Sequence, residues 1–396
     1  MASMRSGDLL QQLSDFVLTA PSQGSPEVLL GSICERLSTA GVPIWRGASA
    51  LHSLSPEIIA PHLTWSRHTG PRATALGHEL KNSPFWVGTP VEAVVEGDTS
   101  TLHCRLDDPA VLNRFPVLKE LAAAGGTDYV IHRLDNSQGL SASVDHVYWR
   151  RQWVSFATDV PSGFTREHLA LIEALVPALS CRFSLEGSKH AAQALLRAYL
   201  GSHASQRVLS GAFRRGSGES LRAVIVFSDM RDFTRFSDTR PPHEVVAALD
   251  SYFDALASPI EEHGGEVLKF IGDAVLAIFP IEGEGCARAL AAVEQSRRNL
   301  MGLNASRSEP FRNGIALHVG DVMYGNIGAR GRLDFTVIGA PVNEVCRVEA
   351  LCKPLGHEVL LTRAFVEAAG LQTASTSLGV QSLKGVAEGL EVFSLR

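Results

Sequence analysis

The chain has 396 residues, 45% hydrophobic and 20% charged, with 36 basic against 42 acidic side chains and a formal net charge of −6. At about 100–200 residues per domain this length holds two or three domains, and the balance excludes a disordered, a collagen-like and a strongly basic nucleic-acid-coating chain. No apolar run approaches the roughly 20 residues of a membrane helix, and the opening MASMRSGDLLQQLSDF lacks the unbroken apolar core of a signal peptide. The expectation is a cytoplasmic protein with no membrane and no nucleic-acid partner.

In chain order, Ser25-Pro26 supplies an N-cap and a first-turn proline for a helix whose apolar face is Val28, Leu29, Ile33 and Leu37. Strand-like runs follow at Val91–Val95, Tyr129–Arg133, His146–Trp149 and Val154–Ala157. A long helix begins after Phe164-Thr165, with Leu169, Ile172, Leu175, Val176 and Leu179 on one face and Thr165 with His168 as a partial capping box. Helical spacing resumes through Ala191–Leu200. All five tryptophans lie before residue 220 and are expected to fill the core. His52, His62 and His68 are spaced by ten and six, which fits neither a helix face nor a zinc pattern. The six cysteines form no C-x-x-C pair, so buried thiols are expected.

Phe213-Arg-Arg-Gly-Ser-Gly-Glu-Ser220 reads as a linker. Before it, residues 1–219 carry 19 basic and 20 acidic side chains; residues 220–396 carry 17 and 22, so most of the acidic excess lies in the second half. There Arg222–Phe227 is a buried-strand pattern ending in Ser228-Asp229-Met230-Arg231-Asp232-Phe233-Thr234. Asp229 thus stands at a strand's C-terminal end, where a carboxylate is either a turn residue or a ligand for phosphate-bound magnesium. After a helix with Val245, Val246, Leu249, Tyr252, Phe253 and Leu256 on one face, Glu266–Asp273 and Ala274–Phe279 make two strands around a tight Ile-Gly-Asp turn. That turn presents a second carboxylate, Asp273. A strand through Phe335–Ile338 then breaks at Gly339 and a helix starts near Pro341. Asn343 and Arg347, at i and i+4, share one of its faces, as a polar surface stripe or as two groups facing one site.

Taken together, FSDMRDFT (227–234), KFIGD (269–273), HVGDVMYGNIG (318–328), LDFTVIGAPVNEVCRVEAL (333–351) and SLKGV (382–386) resemble the class III nucleotide cyclase catalytic domain. The resemblance implies an α+β fold, a ferredoxin-like βαββαβ palm that works as a head-to-tail homodimer with two sites at its interface. It implies that Asp229 and Asp273, with Met230, hold two Mg²⁺ or Mn²⁺ ions, and that Phe233 and Thr234 belong to the loop around the phosphates. Lys269 and Thr336 fall on the purine-reading pair, in the adenine-selecting combination, which implies ATP as substrate and cyclic AMP as product. Asn343 falls on the ribose-orienting asparagine, Arg347 on the arginine facing the α-phosphate, and Lys384 on a lysine near the terminal phosphates. Two positions depart from the pattern. Asp232 stands where glycine is common and brings a carboxylate that could repel the triphosphate. Ala340-Pro341 replaces an acidic or small polar residue followed by threonine.

The first half resembles, in pattern alone, an α/β GAF-like sensor domain with an unidentified small-molecule ligand, and Tyr199–Gly211 resembles the transducer stretch ahead of such catalytic domains. The expected organisation is a sensor over 1–186, a helical transducer and linker over 187–219 and a catalytic domain over 220–396. The competing readings are a non-catalytic nucleotide-binding protein with the same fold and a guanylate or relaxed-specificity cyclase.

Overall fold

The computed structural model describes residues 6–21, 25–51, 58–77, 86–135, 151–383 and 389–395. They form two compact units, Met1–Ala198 and Tyr199–Arg396. His52, Lys384 and the expected strand at His146–Trp149 lie outside the described residues.

The first unit comprises α1 (Ser6–Thr19), α2 (Pro26–Thr39), β1 (Arg46–Ala50), β2 (Ile58–Ser66), β3 (Gly70–Gly77), α3 (Pro90–Val95), β4 (Thr101–Arg105), α4 (Pro109–Arg114), α5 (Leu118–Ala123), β5 (Asp128–Asp135), β6 (Arg151–Thr158) and α6 (Arg166–Leu200). Its sheet runs β3-β2-β1-β6-β5-β4, and every described pairing is antiparallel. Leu29, Leu30, Ile33 and Leu37 of α2 and Ile172, Leu175, Leu179 and Phe183 of α6 cover one face, packing on Val130, Val154 and Phe156. Trp45, Trp86 and Trp153 build the core on the other face, with Phe115, Leu118 and Tyr129; Trp65 is buried with α2.

Three local expectations need correction. Val91–Val95 is not a strand but the body of α3: Pro90 opens a first turn and the Thr89 hydroxyl accepts the Glu92 N–H at 3.2 Å, so capping overrides the β-branched composition. Ser25 precedes α2 but makes no side-chain cap bond; Pro26 alone marks that start. Helix α6 is long and apolar enough, by length and composition, to cross a membrane, because its few charged residues are spread apart. Among these, Arg182 is buried within the first unit, donating to the carbonyls of Leu18 (3.2 Å) and Ala20 (2.7 Å) and pairing with Glu186 at 3.1 Å.

The second unit comprises α7 (Ser202–Leu209), β7 (Gly218–Met230), α8 (Phe233–Asp238), α9 (Pro242–Glu262), β8 (Glu266–Ile271), β9 (Ala274–Pro280), α10 (Gly285–Asn304), β10 (Asn313–Ala329), β11 (Arg332–Ile338), α11 (Ala340–Glu349), α12 (Cys352–Leu355), β12 (Val359–Thr362), α13 (Arg363–Ala368), β13 (Ser375–Gln381) and β14 (Leu390–Leu395). From β7 to β10, with α8 and α9 counted as one helical connection, the order reads βαββαβ. The sheet runs β13-β14-β12-β10-β7-β9-β8, with β11 paired to β10. Strand β7 sits in its middle with both faces covered, which is why its sequence is continuously apolar rather than alternating. Val224 and Val226 pack with Tyr252 and Leu256 of α9 and Ala289 and Val293 of α10. Ala223 and Ile225 pack with Val345 and Val348 of α11.

The stretch expected to be a linker is largely structured. Strand β7 already begins at Gly218, and Gly216 and Ser217 exchange backbone hydrogen bonds with Asn326, each 3.0 Å. Helix α7 also belongs to this unit: Ala204 is buried, and its N–H donates to Glu266 of β8 at 3.0 Å. Glu266 in turn accepts the Tyr324 hydroxyl at 2.6 Å.

Candidate active site

Asp229 is the penultimate residue of β7, and Ser228 beside it pairs with Val275 of β9. The β8–β9 hairpin closes with a two-residue loop whose first member, Gly272, takes φ 65°, a left-handed conformation that glycine adopts without a Cβ penalty. The second member is Asp273. Pairing and turn together bring the two carboxylates face to face. The Asp229 carboxyl is pushed up to about 6, first by burial, then by its hydrogen bond to Asp273 and by that residue's charge.

A third carboxylate lies behind them. Glu349, buried at the end of α11, is pushed up to about 7 by burial and then by the charge of Asp229, with Arg231 opposing. Gly314, opposite Asp229 in the β7–β10 register, makes room for it: a Cβ there would lie 2.2 Å from a Glu349 oxygen. Among the described residues no three His, Cys, Asp or Glu side chains converge as a cage. Two hard oxygen donors that repel each other when ionised, with coordination positions left to water and substrate phosphates, fit Mg²⁺ or Mn²⁺.

Beyond β7 the chain turns sharply. Met230 is buried. Asp232 adopts φ 61°, which accounts for glycine being the commoner choice there and which aspartate tolerates better than most residues. Its carboxylate accepts from Lys353 at 2.8 Å, with Arg312 at 4.0 Å, and Lys353 holds it below the usual carboxylate range. The charge expected to repel a triphosphate is therefore largely neutralised. Phe233 turns its ring toward the core and stacks on Phe236 with centroids 6.4 Å apart, whereas Thr234 is exposed.

Lys269 owes its direction to a β-bulge. Val267 pairs with Ala277 and Lys269 with Leu276, so Leu268 is an extra residue in β8. The Lys269 ammonium forms an ion pair with Asp334 of β11. Thr336, two residues along that strand and hence on the same face, is buried.

Helix α11 carries Asn343 and Arg347 on an exposed face, while Val345, Val348 and Glu349 are buried on the other. Among the described residues, neither side chain has a hydrogen bond or ion pair to Asp229 or Asp273. Pro341 fits the first turn, as its fixed φ allows, and a Cβ on Gly320 would lie 2.3 Å from its Cγ. A buried relay holds the same helix: the Phe365 N–H donates to the Thr362 hydroxyl (3.3 Å), which lies 2.8 Å from His318 Nδ1, and His318 Nε2 lies 3.0 Å from Glu344. Since the Glu344 carboxylate only accepts, the neutral imidazole carries its proton on Nε2 and donates it there, which leaves Nδ1 to accept the Thr362 hydroxyl proton.

Asp229 and Asp273 are thus brought together, Lys269 and Thr336 lie on two strands not paired with each other, β8 and β11, that the Lys269–Asp334 ion pair connects, and Asn343 and Arg347 share a helix face. Asp334, Glu349 and His318 escaped the reading of the sequence. For Asp334 the available signal was its even spacing from Thr336.

Residues 218–395 match the family described as the adenylate and guanylate cyclase catalytic domain. "Adenylate cyclase 1" of Rhizobium meliloti (strain 1021) is 31% identical over 193 residues, covering 47% of this chain and 29% of that protein. "Adenylate cyclase" of Anabaena cylindrica is 31% identical over 195 residues, covering 46% and 38%. The match therefore spans about a third of the length of these relatives. Among solved structures, a bacterial light-regulated adenylyl cyclase is similar at 26% identity and a TM-score of 0.49, covering 56% of this chain and 65% of that one. Asp229, Asp273 and the βαββαβ unit that presents them lie wholly inside the matched span: residues 218–395 are a class III adenylate/guanylate cyclase catalytic domain.

Proposed function

We propose that this protein is an adenylate cyclase that converts ATP to 3′,5′-cyclic AMP and pyrophosphate, as a head-to-tail homodimer regulated by its N-terminal unit. The observation that carries the reading is the opposed pair Asp229 and Asp273 at the tip of β7 and the β8–β9 loop. The relatives named as adenylate cyclases support the choice of ATP, as does Lys269, whose ammonium can donate to the unprotonated N1 of adenine but not to the N1–H of guanine.

Asp229 and Asp273, with the backbone at Met230, would hold two Mg²⁺ or Mn²⁺ ions, which when bound acidify the ribose 3′-hydroxyl and offset charge at the α-phosphate. Asn343 orients the ribose, so that its 3′-oxygen lies in line with the α-phosphorus. Arg347 stabilises the α-phosphate oxygens as the new 3′-O–P bond forms, the hydroxyl proton departs and the bond to pyrophosphate breaks. Thr234, the backbone at Phe233 and Lys384 take the terminal phosphates, and Lys269 with Thr336 takes the base.

Two features support dimeric sites. The carboxylate pair and the exposed Asn343–Arg347 face have no direct bond within one chain, and Phe270, Ile271, Met323, Leu333 and Ile338 expose apolar surface on the same unit. Helices α1 and α2, the antiparallel sheet and the long α6 support reading the first unit as a GAF-like sensor for a small molecule. Full-length protein with ATP and Mn²⁺ is expected to release cyclic AMP, and Asp273→Ala to lower that rate by about 100-fold or more. No cyclic product from ATP or GTP with either metal would overturn the reading.

A further inference from the structure

Asn343 and Arg347 have no hydrogen bond or ion pair of their own among the described residues, so α11 alone decides where they stand. Two kinds of contact hold that helix. Val345 and Val348 are fully buried and pack with Ala223 and Ile225 of β7. Apolar packing is non-directional: it sets the distance from helix to sheet but resists rolling about the helix axis only weakly. Glu344 supplies the directional contact. At about 100° per residue it lies between Arg347 and Val348, on the border of the buried face. Its carboxylate is 3.0 Å from His318 Nε2 and has no other polar partner among the described residues.

The far end of that contact is rigid. His318 is 5% exposed on β10, which pairs with β7 along its whole length, and both ring nitrogens are committed. Nδ1 faces the Thr362 hydroxyl at 2.8 Å, and Thr362, 1% exposed, also accepts the Phe365 N–H as the N-cap of α13. The bond to Glu344 thus runs from a fixed point in the sheet to the flank of the helix, where it opposes roll. A roll of roughly 10° moves a group at the roughly 6 Å outer radius of a helix by about 1 Å. A misplacement of about 1 Å can lower a rate about 100-fold.

We propose that His318 and Glu344 are positioning residues, a pin that sets the roll of α11 and so the aim of Asn343 and Arg347 at the nucleotide. The inference rests on the reading of this site as a nucleotide cyclase. Turnover of ATP with Mn²⁺ by the full-length protein would be measured beside displacement of a fluorescent ATP analogue. Glu344→Ala, at a half-buried side chain, is expected to lower kcat about tenfold or more, with KM and displacement changed less than about twofold. Glu344→Gln, which keeps the acceptor, and His318→Gln, whose amide can stand in for Nε2–H, are expected to retain most of the activity. Mixing variants gives a readout that loss of stability would not. With the carboxylates of each site on one protomer and the pinned helix on the other, Glu344→Ala regains activity when mixed with Asp273→Ala and not with Arg347→Ala. An unchanged kcat in Glu344→Ala, an equal loss in Glu344→Gln, or recovery with Arg347→Ala in place of Asp273→Ala overturns the proposal and leaves the cyclase reading intact. Wild-type protein that turns over neither ATP nor GTP overturns both.

Discussion

Gly320 has no chemistry of its own, yet it bears on where Arg347 stands. A methyl group there would enter the van der Waals space of Pro341, 2.3 Å from Cγ, and push back the helix that carries Asn343 and Arg347. Gly320→Ala is therefore expected to cost about 1–3 kcal/mol in urea unfolding and to lower turnover with little change in KM. Asp232 offers a contrasting case. Replacing it by glycine relieves a left-handed φ and loses an exposed ion pair, two small and opposed effects. Asp232→Gly is expected to keep the thermal midpoint and, by freeing Lys353 and Arg312, to lower KM for ATP about two- to threefold; a raised KM would contradict this. At this scale the sequence was most legible where a residue's role follows from its own segment. Asp229 ends a strand, Asp273 follows a turn glycine, and Asn343 and Arg347 are one helical repeat apart. Asp334 and Glu349 were illegible, because each acquires its role from a partner on another element, Lys269 on β8 and the space at Gly314 on β10.

Elements tell a similar story. The helices α2, α6, α9 and α11 were legible as apolar stripes, and β7 as an apolar run. Segment 91–95 was misread because two flanking residues, Thr89 and Pro90, outweigh three valines. What no local pattern discloses is the relay that locks α11 to β10 and α13. Burial pushes His318 down to about 4, so at neutral pH it is uncharged and donates to Glu344. In the unfolded chain it titrates near 6.5. Between these values the unfolded state binds the extra proton, so the stability due to His318 is full above about 6.5 and is lost as pH falls toward 4. Asp229 and Glu349, whose carboxyls are raised, act in the opposite sense, so wild-type stability alone does not isolate the effect. The informative quantity is the difference from His318→Asn. That variant's deficit is expected to shrink by on the order of 2 kcal/mol between pH 7 and pH 5, read from urea unfolding at both values. A constant deficit would rule out the neutral relay.

For the whole molecule, the division into two units places all the proposed chemistry after Tyr199. If each site draws Asp229 and Asp273 from one protomer and Asn343 and Arg347 from its partner, Asp273→Ala and Arg347→Ala are each inactive alone but complementary when mixed. Half of the randomly paired dimers then hold one intact and one doubly damaged site, so about a quarter of wild-type activity is expected on mixing. A mixture that stays as inactive as its components would show that each site is built within one chain. The bulge in β8 has a consequence best stated as odd and even counts. Glu266 and Lys269 are three residues apart, so a regular strand would send them to opposite faces; the extra Leu268 makes the count even and puts both on the α11 side of the sheet. Register is set from the Gly272 end of the hairpin, so deleting Leu268 leaves Lys269 where it is and puts Glu266 two residues before it, an even count that keeps both on one face. Glu266 then keeps both Ala204 and Tyr324, and the strand loses only its bulge. A single deletion should thus leave α7 attached to the catalytic unit, whereas the same strand made regular with Leu268 retained would turn Glu266 toward the apolar layer of α9 and α10 and release that helix.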